Sequence, residues 1–423
     1  MESDIGRKVS IKMTDKIVVI SGGVTSPKGF AAASYAAGIK YQNREDMALI
    51  YSERPCTAAG VFTSNMVKAA PVVWDQQVIE KADYVRTVII NSGIANACTG
   101  EEGMKICRAT AKAAAEATGD SPENVLVAST GVIGMQIPTE RIVHGTKELL
   151  KGKETTEEAG TKAAQAIMTT DTHKKETAMT VTLSSGTVTI GGMCKGSGMI
   201  HPDMCTMLGF ITTDAAISKT LLQKALSEVV QDTFNMISVD GDTSTNDTLV
   251  VLANGMAGNQ EITKEDVDYH TMKDALHRIC EYLAKQMAGD GEGATALLEV
   301  TVQKAKTKED AKILAKSVVC SSLVKAMIYG HDANAGRIMC ALGYSGVSFR
   351  PESVDLYFTS KAGKILIFQG GIAADYSEEE ATKILSEPEV TVVVDMHEGD
   401  ASATAWGCDL TYDYVKINAD YRS

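Results

Sequence analysis

The chain has 423 residues, 44% of them hydrophobic but only 5% aromatic, 36 glycines and a formal net charge of −13. That length and apolar content suit one large catalytic body with a core of small, closely packed side chains. The charge argues against a nucleic-acid or anionic-membrane partner, which would need a basic patch, so a small-molecule substrate fits better.

No apolar run approaches the roughly 20 residues of a membrane span, and residues 1–16 lack the apolar centre of a secretory signal, so a soluble, cytoplasmic protein is expected. The nine cysteines include no Cys-x-x-Cys pair and are read as reduced and mostly buried. The seven histidines include no His-x-x-x-His pair, which leaves a metal site without its usual ligands, and no metal is expected.

In chain order, apolar runs at 17–20, 48–51, 85–90 and 125–128 read as strands among glycine-containing turns. Helices are expected over 102–118, over 140–150 with Thr139 as N-cap after Pro138, and over 157–168. Alternation at 177–183 and 187–190 about Ser184-Ser185-Gly186 predicts a hairpin. Helical spacing returns at 221–236 and 267–287, and 297–302, 355–368 and 390–395 read as strands. The tail over 401–417 alternates well enough for one or two more strands. Strands and helices recur without the strict βαβ rhythm of a doubly wound sheet.

The stretch Cys194-Lys-Gly-Ser-Gly-Met-Ile-His-Pro-Asp-Met-Cys-Thr-Met-Leu208 is the densest in chemistry. By composition alone it suits either a glycine-rich turn with a solvated lysine or a bent loop holding polar groups at a fixed point. It is not a phosphate-binding P-loop, because Lys195 precedes the glycines. Thr130-Gly131, after the strand at 125–128, could likewise be an ordinary strand-ending turn.

The 194–208 stretch resembles the signature of the ornithine acetyltransferase family, also called glutamate N-acetyltransferase. The likeness extends to Gly23-Val-Thr-Ser-Pro-Lys-Gly-Phe30, Arg54-Pro-Cys-Thr-Ala-Ala-Gly-Val-Phe62, Ser129-Thr-Gly-Val-Ile-Gly134 and Met168-Thr-Thr-Asp171. Towards the other end it includes Gly289-Asp-Gly-Glu-Gly-Ala294, His331-Asp-Ala-Asn-Ala-Gly-Arg337 and Asn418-Ala-Asp-Tyr421. These blocks cover essentially the whole chain.

The resemblance implies an α/β fold, a two-sheet αββα-type sandwich with a smaller additional lobe. It implies self-cleavage at Cys205–Thr206 into an alpha fragment, 1–205, and a beta fragment, 206–423, folded as one catalytic unit. The family more often carries Ala before the threonine. Thr206 would then be the nucleophile and its freed α-amine the base, a useful pairing because a hydroxyl is a poor nucleophile unaided and an α-amine titrates near pH 8.

Thr130 and Gly131 match the family's oxyanion pair, and Thr169, Lys195, Thr206, Glu292, Asn418 and Ser423 its substrate-binding positions. The implied reaction carries acetyl from N-acetylornithine to glutamate without a cofactor, with acetyl-CoA a donor for some members. A heterotetramer of two alpha and two beta fragments is implied as well. An amidase or aminopeptidase using the same threonine, and a non-catalytic amino-acid-binding protein, are the rival readings. His331, Asp332 and Arg337 suit a structural hydrogen-bond network.

Overall fold

A computed structural model describes residues 16–201 and 207–420. Among these residues, nine strands form one sheet and seven a second, with helices packed against both. This is the mixed, two-sheet α/β architecture that the family resemblance implies.

Along the larger sheet run Ile17–Ile20, Lys175–Leu183, Gly186–Lys195, Leu208–Thr213, Thr248–Ala253, Met47–Phe62, Val85–Asn91 and Val125–Ser129. The 16-residue strand Met47–Phe62 joins its two halves. Thr57 to Phe62 pair with Thr248–Ala253, whereas Met47 to Ser52 pair with Phe30–Tyr35. Leu208–Thr213 and Thr248–Ala253 are parallel and buried at every residue, as expected of strands covered on both faces. The smaller sheet is built from Ile372–Ala373, Gly363–Gln369, Asp355–Ser360, Glu389–Asp395, Leu297–Ala305, Ala401–Cys408 and Ile237–Ser238.

Helix Val267–Gly289 packs against strands of both sheets. Its start is fixed by the Asp266 carboxylate, which accepts the N–H groups of Asp268 and Tyr269. Its inward stripe, including Met272, Leu276, Ile279, Leu283 and Met287, is buried in the largest apolar cluster. Helix Gly100–Thr118, rich in alanine, stops at Gly119, whose φ of 71° is the left-handed cap that glycine adopts at little cost.

The hairpin has the expected turn, with Leu183 opposite Gly186. Thr139 is the first helical residue of Thr139–Lys151 and not its cap, because Pro138 occupies the capping position. The 221–236 helix ends at Val230 and gives way to a 3₁₀ turn, Phe234–Met236. In the tail, Ala401–Cys408 is a strand, but Tyr412–Ala419 is a helix. No helix among the described residues is long and apolar enough to cross a membrane.

Candidate active site

Strand Val125–Ser129 is wholly buried and parallel to Val85–Asn91, and the chain leaves it into a turn at Thr130 and Gly131. Two asparagines hold that exit. Asn91 accepts the Ser129 hydroxyl at 2.7 Å through its side chain and the Thr130 N–H at 3.0 Å through its carbonyl. The Asn246 amide donates to the carbonyls of Ser129 at 2.8 Å and Ala95 at 2.6 Å.

Gly131 has a φ of 129°, and a Cβ there would lie 2.2 Å from the Gly93 carbonyl carbon, so no other residue fits without moving backbone. The Thr130 N–H is engaged, but the Thr130 hydroxyl and the Gly131 N–H make no hydrogen bond among the described residues. They are therefore the two donors of this turn free to meet a ligand oxygen.

Strand Gly186–Lys195 delivers Lys195 opposite Leu208, at the two ends of the glycine-rich loop. Lys195 is 7% exposed, and its ammonium donates to the Thr169 hydroxyl at 2.7 Å. Behind it lies Asp171, which accepts the N–H groups of Gly196 at 2.7 Å and Thr169 at 3.0 Å and the ammonium of Lys175 at 2.7 Å. Burial by itself would push the Asp171 carboxyl up, but Lys195, 3.7 Å away, and Lys175 outweigh it and hold the group well below the usual carboxylate range. The neighbouring Cys194 thiol is pushed up to about 12 by burial, so it stays protonated and is no rival nucleophile.

The turn after helix Val267–Gly289 supplies Glu292, 6% exposed, whose N–H donates to the Ser197 carbonyl at 3.0 Å. Its carboxylate accepts from the Asn418 amide at 2.7 Å. Asn418 comes from helix Tyr412–Ala419, which follows the last strand of the second sheet. A Cβ at Gly198 would sit 2.3 Å from the Glu292 carboxylate, so glycine makes room for that acid.

Thr130, Gly131, Thr169, Lys195, Glu292 and Asn418 line one cavity of about 340 Å³. Cys205, Thr206 and Ser423 lie outside the described residues. Met207, bonded to Thr206 in the chain, lines the cavity too. Asn246 lines it as well and went unnoticed in the sequence, as did Lys175, while its partner Asp171 stands in a family-like block that gave it no role. His331, Asp332 and Arg337 do not line it. Arg337 donates to the Leu323 carbonyl at 2.9 Å and so ties helix Gly336–Gly343 to helix Ser322–Tyr329.

A two-sheet α/β scaffold with a small cavity lined by Lys195, Glu292, Thr169 and Asn418 is the kind of site that small-molecule enzymes carry. The chain belongs to the ArgJ family, which matches residues 31–423. It is 50% identical over 406 residues to the arginine biosynthesis bifunctional protein ArgJ of Symbiobacterium thermophilum, covering 96% of this chain and 99% of the relative. The protein of the same name from Thermotoga neapolitana is 48% identical over 398 residues, covering 94% and 99%. Among solved structures, ornithine acetyltransferase of Mycobacterium tuberculosis, complexed with ornithine, is 42% identical. That match has a TM-score of 0.42 and covers 45% of this chain and all of the solved one.

Proposed function

We propose that the protein is a self-cleaving acetyltransferase of arginine biosynthesis, moving acetyl from N2-acetylornithine to glutamate. The observation that carries this reading is one cavity lined by Lys195, Glu292, Thr130 and Gly131, a set that suits a carboxylate, an ammonium and an oxyanion. The name shared by its relatives supports it.

Lys195 and the Thr169 hydroxyl suit the α-carboxylate of the acetylated amino acid, and Glu292, oriented by Asn418, suits the side-chain ammonium of ornithine. After cleavage of Cys205–Thr206, the Thr206 hydroxyl attacks the acetyl carbonyl and its proton passes to the new α-amine. The carbonyl oxygen becomes an oxyanion held by the Thr130 hydroxyl and the Gly131 N–H. Collapse breaks the C–N bond, the ornithine α-amine takes the proton, and acetyl stays on Thr206 as an ester. The neutral amine of glutamate then attacks the ester, giving N-acetylglutamate and restoring the hydroxyl.

The acyl-enzyme itself carries the group, so no cofactor is required, and acetyl-CoA is a second donor to the same threonine. Ser423 adds a hydroxyl to the substrate site. The working assembly is two alpha and two beta fragments in the cytoplasm. Isotope-labelled acetyl-ornithine tests the reading: label should appear in N-acetylglutamate when glutamate is present. Release of label as acetate at the same rate with or without glutamate would make the protein a hydrolase.

A further inference from the structure

Lys175 has no exposed side-chain surface, yet it is not among the residues that line the cavity. Its ammonium donates to Asp171 at 2.7 Å and to Asp290 at 2.6 Å, two carboxylates that support different segments of the cavity wall. Asp171 holds the backbone N–H groups of Thr169 and Gly196, and so sets the wall from which Lys195 projects. Asp290 caps helix Val267–Gly289, and its carbonyl accepts the Ser197 hydroxyl at 2.7 Å, while the Ser197 carbonyl accepts the Glu292 N–H. A continuous set of buried polar contacts therefore runs from Lys195 to Glu292 through Lys175.

We infer that Lys175 is a specificity-determining positioning residue: by tying Asp171 to Asp290 it fixes the spacing between Lys195 and Glu292, and hence the length of diamino acid that spans the cavity. This rests on the assignment of Lys195 and Glu292 to the two ends of N-acetylornithine. A cavity wall set by buried charge pairs is rigid, because each partner would be left desolvated and unpaired if the other moved. A side chain one methylene too short or too long would then lose contact at one end.

The test compares kcat/KM for N2-acetylornithine with that for the acetylated homologues one methylene shorter and one longer. It uses the native enzyme, Lys175→Met combined with Asp290→Asn to keep the buried charge balanced, and Ser197→Ala. The native enzyme should favour N2-acetylornithine, and both variants should lose about tenfold of that preference, mainly through KM. A merely structural role would lower kcat for all three donors equally and leave the preference intact, which overturns the inference. If the double variant does not fold, the milder Ser197→Ala decides in the same way. A native enzyme that transfers acetyl from none of the three would instead refute the activity on which the inference rests, and the inference with it.

Discussion

Gly131 and Lys195 carry the most exposed predictions of single-residue chemistry. A methyl group at Gly131 would strike the Gly93 backbone and displace the N–H proposed to hold the oxyanion. Gly131→Ala should therefore lower kcat by about 10²–10³, with a smaller change in KM, in steady-state assays. Lys195→Met removes the proposed charge-assisted contact to the substrate carboxylate and should raise KM roughly 10- to 100-fold while the acetyl-enzyme still forms at saturation.

Asp171 adds a pH dependence. Its carboxyl is held low in the folded protein, so its contribution to stability is complete above the ordinary value of 3.8 and is lost as pH falls through the folded value. Asp171→Asn should lower the melting temperature at pH 7 and narrow its gap to the native protein under acid. A gap that widens under acid would contradict this. Thr130, Gly131, Thr169, Lys195, Glu292 and Asn418 were legible because each lies in a sequence block resembling a known family, whereas Asn246 lies in none. Lys175 was not legible, because its partner Asp290 is 115 residues away and nothing in the local pattern joins them.

Among the elements, those with one buried face or two were readable from apolar spacing, as in Val267–Gly289 and Val125–Ser129. Tyr412–Ala419 misled because it has no buried residue, so its apolar positions follow no helical stripe and mimic alternation. Glycine-rich segments such as 196–201 have no period to read, and only the positions of charged partners reveal how they fold.

The packing of helix Ala70–Lys81 on strand Val125–Ser129 contains a buried Asp75, whose carboxylate accepts the Val127 N–H at 2.8 Å. Burial raises its carboxyl well above 3.8, so folding favours its protonated form, an advantage present below 3.8 and lost as pH rises through the folded value. Asp75→Asn keeps the acceptor without the charge. It should raise the melting temperature at pH 7 and have less effect below pH 3.8, as scanning calorimetry at the two pH values would show. A lower melting temperature at pH 7 would contradict this assignment.

Across the whole molecule, the proposed break between Cys205 and Thr206 would divide the chain but not the fold. Gly186–Lys195 pairs with Leu208–Thr213, and Met47–Phe62 with Thr248–Ala253, so the larger sheet takes strands from both sides of that bond. Thr130, Gly131, Thr169 and Lys195 precede it, whereas Glu292 and Asn418 follow it, and the cavity needs both parts. Cleaved halves should therefore copurify in equal amounts and part only on denaturation, as native and denaturing mass spectra would show.

Intact mass of the purified native protein and of Thr206→Ala, with sequencing of any new N-terminus, decides whether the chain breaks itself between Cys205 and Thr206. Two native chains, one beginning at Thr206, beside a single uncut chain in the variant are the predicted result. A native chain that remains whole while transferring acetyl, or a break at any other bond, would contradict the freed α-amine of Thr206 as the base of the reaction.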